Sequence, residues 1–261
     1  MKTLFLAWLD PISRSWFPIG RLTNDGKTYQ FVYLQGVKAA QQQCGFQGLW
    51  SFPDLDKVYE SPELFPLFSN RVLRRSRPDY PEFVQWLNIP EHEDDPMTIL
   101  ARSGGQRATD TFEVFPASSP DENGLYHIHF FAHGLRYLPP ETANRISYLQ
   151  PGELLRLVCP TDRLRQHEVQ NPHDRKALML CTKDRHIVGY CPRYLLDDAF
   201  DLQRQHSDQV QVAVERVNPP PTPLQFRLLC QLTAHLPDDF HPFSRPIYLP
   251  LADKAALSLI P

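Results

Sequence analysis

The sequence predicts an α+β and mostly-β chain in two units. A small α+β module spans residues 1–118, and a short-stranded barrel spans 124–234, with 235–261 as a C-terminal extension packing back on a domain. Three observations lead there. Apolar and polar residues alternate at period two in several short runs, and apolar spacing of helical period is confined to brief segments. A stretch of proline, serine and turn formers at 116–123 (PASSPDEN) separates the two patterns. The size agrees: 261 residues, 42% hydrophobic and 22% charged, hold one large or two small domains at roughly 100–200 residues each. There are 26 prolines against 11 glycines, about twice the usual ~5% share of proline, which favours short elements and structured loops.

The first module opens with a meander. TLFLAW (3–8) is an apolar strand, DPISRS a turn and 16–22 a second strand; Asn24-Asp25-Gly26 turns the chain into a third, 28–33, with Tyr29, Phe31 and Tyr33 on one face. Residues 36–44 are helix formers. In ELFPLFSNRVLRRS, Leu64, Phe65, Phe68, Val72 and Leu73 recur at helical spacing behind Ser61-Pro62-Glu63, which predicts an amphipathic helix with proline in its first turn. Another helix follows Pro78. Glu91 to Asp95 (EHEDD) is a solvated acidic loop leading into the short helix PMTILARS, where negative charge favours the N-terminus and Gly104-Gly105 ends it. A strand over 111–115 closes the module.

Beyond the linker, 125–132 alternates as a strand and 140–149 forms a short helix. Strands follow at 153–159, 177–181 and 187–190, then a helix at 194–202, the cleanly alternating strand 209–217 and a last strand at 224–232. Many short strands with small helical inserts make a barrel. The tail from 235 is too short for a core of its own, and no internal repeat runs through the chain.

A formal net charge of −3 excludes the global basic excess of a protein that coats nucleic acid without selectivity; residues 130–218, at +1, are the most basic stretch. Five cysteines (44, 159, 181, 191 and 230) are odd in number and never spaced C-x-x-C, so they read as reduced thiols and not as a disulfide set or zinc knuckle. Asp10 interrupts the apolar start MKTLFLAWLD with no cleavage site after it, and no window reaches the ~18 apolar residues of a membrane span. A cytoplasmic protein is expected.

Phosphate-loop, dinucleotide, zinc-protease and nucleophile-elbow motifs are missing, so neither catalysis nor a cofactor is expected. Ser103-Gly104-Gly105 could cradle a phosphate, but a helix stop is the plainer reading. His127, His129 and His133 lie at spacings that put strand residues on one face, where imidazoles can ligate a metal; packed histidines of an aromatic strand explain them as well, and no metal is assigned.

Residues 133–195 are the most informative. Asn171-Pro172-His173-Asp174 is a rigid polar turn that can present an amide, a ring and a carboxylate together, and Arg136 and Tyr137 can meet it from a separate segment. Arginine for phosphate, rings for stacking and an aspartate to accept a hydroxyl hydrogen bond suit one end of a nucleic-acid strand. The same turn could simply join two strands, with Asp174 capping backbone donors.

L-R-Y at 135–137, N-P-x-D-x-x-A-L at 171–178 and V-G-Y-x-P-R-Y-L at 188–195 resemble the sequence of a HIRAN domain over about residues 130–232. The resemblance implies an OB-like barrel that recognises single-stranded DNA at its 3′-hydroxyl end. By position, Arg136 and Tyr137 match the arginine and first aromatic of the family pocket, and Asn171 and Asp174 match the turn that meets the terminal sugar. Tyr190 replaces a histidine near the phosphate, and Lys176 and Arg193 complete the implied nucleic-acid-binding set. Two positions depart from the animal members: Leu138 and His173 each stand where those have a tyrosine. Histidine can still stack on a base; leucine cannot donate a hydrogen bond.

Residues 1–118 are similar to the N-terminal subdomain of HipA-type toxin kinases. The similarity lies in IGRLTNDGxxYxFxY, LFPLFSNRVL and DDPMTILARSGG followed by TFEVFP. No kinase core follows it in this chain. That pattern resembles the small separate subunit of split toxin–antitoxin operons and implies a HipA-family kinase in trans, docked through Phe65, Phe68, Asn70 and Arg71. The expectation is therefore a non-catalytic bacterial accessory or antitoxin-type protein whose barrel binds a single-stranded DNA end. The alternative is a stand-alone DNA-end sensor in repair or phage defence with no kinase.

Overall fold

A computed structural model describes residues 1–158, 177–205, 210–237 and 239–252. The chain divides into two compact units. One comprises residues 1–84, 89–117 and the described tail from His241; the other comprises 85–88 and the described part of 118–240.

The first unit is built on a five-stranded antiparallel sheet: β1 (Lys2–Leu9), β2 (Trp16–Asn24), β3 (Tyr29–Tyr33), β4 (Tyr59–Ser61) and β5 (Phe112–Pro116), in the order β4-β3-β2-β1-β5. Leu4 pairs with Leu22 and Leu6 with Gly20 and, on the other side, Val114, so the period-two pattern of each strand lines up across the sheet. Leu4, Leu6, Leu22, Phe31 and Tyr33 bury one face together with Val37 of α1 (Gly36–Cys44) and Leu100 of α4 (Pro96–Ser103). The buried Tyr33 hydroxyl donates to the Phe52 carbonyl and accepts from the Leu49 N–H, which ties the loop after α1 to the sheet; burial pushes its pKa up to about 12. An aromatic cluster of Phe5, Phe115, Phe243 and Tyr248 packs the returning tail onto the sheet, and Leu34 bridges Pro250.

The acidic loop ends as expected in a helix cap, with the Asp95 carboxylate accepting from the N–H groups of Met97 and Thr98. Gly104, in the left-handed region at φ 75°, ends α4, so Ser103-Gly104-Gly105 is a helix stop. The amphipathic helix expected over 64–73 is a single turn, α2 (Pro66–Ser69). Pro66 has no N–H to donate into a helix begun earlier, so it can only sit in the first turn. The chain then runs through turns to α3 (Tyr80–Trp86). A short strand, β4, also appears where none was expected.

The second unit is a six-stranded antiparallel sheet: β6 (Leu125–Phe131), β7 (Leu154–Val158), β8 (Met179–Cys181), β9 (Ile187–Tyr190), β10 (Val210–Val217) and β11 (Leu228–His235). Their order is β6-β11-β10-β7-β8-β9. The two ends of this order meet: His133, just past β6, exchanges backbone hydrogen bonds with Tyr190 of β9, N–H to O=C at 2.9 and 3.0 Å. The sheet therefore curls on itself into a half-barrel, laced at that point by the His133–Tyr190 bridge. β11 begins at Leu228 and not at 224, because Pro219, Pro220, Pro221 and Pro223 cannot feed a ladder; residues Leu224–Phe226 form a 3-10 turn instead. Two helices, α5 (Pro140–Ser147) and α6 (Arg193–Gln205), are inserted between strands.

Asp184, in the turn joining β8 to β9, receives a 2.9 Å hydrogen bond from Arg145 of α5. The Thr182 hydroxyl and then the Arg145 guanidinium hold its carboxyl down at about 2. A group depressed on folding stabilises above its ordinary pKa of 3.8 and loses that contribution as pH falls through about 2. The melting temperature of wild type should thus exceed that of Asp184→Asn near pH 5, and the two should converge toward about pH 2.

Candidate nucleic-acid interface

The lacing point builds the candidate site. Gly134 follows His133 with φ 75°, and a Cβ there would stand 2.6 Å from Cδ2 of Tyr190; a Cβ on Gly189 would stand 2.7 Å from Cβ of Ala132 and 3.3 Å from Cδ1 of Leu135. Both positions need glycine for the two segments to approach so closely. The left-handed step at Gly134 turns the chain out of the barrel wall into a 3-10 turn, Leu135–Tyr137, which packs against β9.

On this turn Tyr137 is 66% exposed. The Arg136 guanidinium lies 4.7 Å from the Tyr137 ring centroid, and its Nη2 donates to the Tyr137 hydroxyl at 2.6 Å. A cation laid on an aromatic face gives a flat surface with positive charge on one side. Such a surface can take a base by stacking and its phosphate by charge-assisted hydrogen bonds.

Tyr190 is placed differently from expectation. It is 9% exposed, packed with Ala177, Met179 and Cys181, with Leu138 against the same cluster. Burial raises the pKa of its phenol. Tyr190 supports the turn from beneath and offers no open face. Leu138, the departure noted in the sequence, belongs to this apolar support. Arg193 is half-buried at the start of α6. Asn171, His173, Asp174 and Lys176 lie outside the described residues. The structure thus joins Arg136, Tyr137 and Tyr190 around one turn.

The histidines of β6 each have separate company. His127 faces Asp121 at 3.5 Å, whereas His129 lies 2.9 Å from Glu215 and 3.0 Å from the Gln231 amide. Asn88 donates to the other Glu215 oxygen at 2.7 Å. Among the described residues no three His, Cys, Asp or Glu side chains group as metal ligands. Sequence reasoning missed this polar network, since nothing local signals that Asn88 belongs with residues more than a hundred positions away.

The four residues expected to dock a kinase divide. Phe68 is wholly in the core of the first unit, and Phe65 is half-buried against Phe52. Arg71 has a side chain only 2% exposed: it donates to the carbonyls of Leu67 and Gly105 and forms a forked pair with Asp110 at 3.1 and 2.6 Å. Asn70 is exposed. Phe68 and the side chain of Arg71 are thus enclosed within the first unit, while Asn70 stands at its surface.

A left-handed glycine, an exposed L-R-Y turn and a laced six-stranded sheet come together in one stretch of the chain. Residues 125–236 match the family model of the HIRAN domain. The match reaches a few residues beyond the resemblance seen in the sequence and leaves residues 1–118 outside it. Two crystal structures are similar to this chain. One is a protein from Lactobacillus plantarum, 18% identical, covering 42% of this chain and 97% of its own, at a TM-score of 0.31. The other is the HIRAN domain of human HLTF, 16% identical, covering 44% of this chain and 81% of its own, at a TM-score of 0.28. At these scores neither adds to the assignment, which rests on the family match. No curated protein matches the chain. Among the described residues no helix is long and apolar enough to cross a membrane.

Proposed function

We propose that the HIRAN unit binds single-stranded DNA at its 3′-hydroxyl end and that the protein acts as a non-catalytic strand-end reader. The observation that carries this is the Arg136–Tyr137 platform, exposed at the surface yet held by a glycine-dependent turn. A pre-formed platform binds without first paying to order itself. Arg136 takes the phosphate and Tyr137 the terminal base. His173 adds a second stacking ring, Asn171 and Asp174 meet the sugar hydroxyl, and Lys176 and Arg193 add positive charge along the strand; these assignments come from the sequence resemblance. A base stacked on an aromatic ring contributes ~1–3 kcal/mol.

Of the two settings, with and without a kinase partner, the reader without a kinase is favoured, since the docking set expected on the first unit loses Phe68 and Arg71 to the core. Fluorescence anisotropy with a labelled 3′-hydroxyl oligonucleotide tests the platform. Tyr137→Ala should weaken binding by about tenfold or more, and Asp174→Ala should do so only for the hydroxyl end. Unchanged affinity in Tyr137→Ala would remove the platform from the site.

A further inference from the structure

The HIRAN unit holds a second feature that the strand-end reading does not use. A cleft of about 450 Å³ lies between the end of α5 and the loop joining β10 to β11, lined by Ser147, Gln150, Arg216, Asn218 and Arg227 among others. Its two arginines have no carboxylate partner among the described residues. Arg216 donates through Nε to Asn218 at 2.8 Å and through Nη1 to Asn88 at 3.4 Å. Arg227 donates through Nη2 to the Thr222 carbonyl at 2.7 Å, while its Nε–H is buried with no acceptor among the described residues. The amide of Asn218 is itself fixed by donating to the carbonyls of Trp86 and Phe226 at 2.9 and 2.6 Å, so Arg216 is held by a rigid partner. The nearby carboxylates are engaged elsewhere: Glu153 accepts from the Gln150 N–H, and Glu215 faces His129 and Asn88.

Two positioned guanidinium groups that line one cleft and have no carboxylate partner among the described residues suit an anion with several acceptor oxygens. We infer that this cleft is a phosphate site for the backbone of the bound strand, one or more nucleotides before the end held at Arg136 and Tyr137. The inference rests on the strand-end reading for its ligand. The path is short: the loop that lines the cleft also carries the Leu224–Phe226 turn, which packs against the Leu135–Tyr137 turn. A strand leaving the platform along that loop brings its next phosphates to Arg227 and Arg216.

The test is anisotropy on the full chain with 3′-hydroxyl oligonucleotides of two and of eight nucleotides, each over a series of salt concentrations. Wild type should gain affinity with length. Arg227→Gln and Arg216→Gln should each bind the eight-nucleotide strand about tenfold more weakly, leave the two-nucleotide strand unchanged, and flatten the salt slope by ~0.7 for each phosphate no longer neutralised. Arg227→Lys, which keeps the charge if the glutamine variant misfolds, should keep the slope. Length gain and slope unchanged in all three variants would overturn the phosphate site and leave the end reading standing. A length gain sensitive to Arg227 with no effect of Arg136→Ala would do the reverse. No binding by wild type at either length would overturn both.

Discussion

Arg71→Ala is expected to lower the unfolding free energy of the first unit by about 3–5 kcal/mol, the cost of breaking a buried, hydrogen-bonded ion pair. The side chain is 2% exposed and makes four hydrogen bonds: one to Leu67 in α2, one to Gly105 after α4, and two to Asp110 just before β5. It also lies 5.4 Å from the Phe112 ring centroid. Removal strands two carbonyls and leaves Asp110, 25% exposed, with an unpaired charge. Arg71→Lys should recover little, because one ammonium cannot reproduce a fork reaching two segments at once. Urea denaturation followed by tryptophan fluorescence measures the effect. A loss below about 1 kcal/mol would show the pair to be as weak as a surface one.

The second large effect is expected at Gly134. Alanine there must hold φ near 75° and also bring its Cβ to 2.6 Å from the Tyr190 ring, which is buried and cannot swing aside. Left-handed strain of roughly 1–2 kcal/mol adds to overpacking of roughly 1–3 kcal/mol, and the turn relieves both by moving. Oligonucleotide affinity should fall about tenfold to a hundredfold with Arg136 and Tyr137 intact, since a platform displaced by about an ångström no longer meets base and phosphate together. Gly124→Ala is the matched control. Gly124 has the same φ of 75° but nothing within 4 Å of its would-be Cβ, so that variant bears the backbone cost alone and should bind as wild type. Equal affinity in both variants would show that the approach of Gly134 to Tyr190 does not set the platform.

Much of this architecture is legible in the sequence because its signals are local. The turn at Asn24-Asp25-Gly26, the alternation of Tyr29, Phe31 and Tyr33, the Asp95 cap and the Gly104 stop each act within a few residues, and each stands where the sequence puts it. Proline overrides apolar spacing more strongly than the pattern alone suggests. Pro66 confines α2 to one turn, and the prolines at 219–223 delay β11 to Leu228. The platform is legible as a motif but not as geometry: L-R-Y points to Arg136 and Tyr137, while the burial of Tyr190 follows from the lacing of His133 to β9, a pairing across more than fifty residues. Phe68 and Arg71 show the same limit, for a phenylalanine at helical spacing reads alike on a surface and in a core. The two arginines of the cleft carry no sequence signature; the pairing of β10 with β11 across a proline-rich loop brings them together.

The central claim is that the HIRAN unit reads a strand end. It is tested most directly by the dissociation constants of the full chain for one single-stranded oligonucleotide made with a 3′-hydroxyl, with a 3′-phosphate, and as a blunt duplex, measured side by side at low salt. Tight binding to the hydroxyl end, at least about tenfold weaker binding to the other two, and loss of that preference in Arg136→Ala are the predicted result. Equal affinity for all three, or none for any, would contradict it.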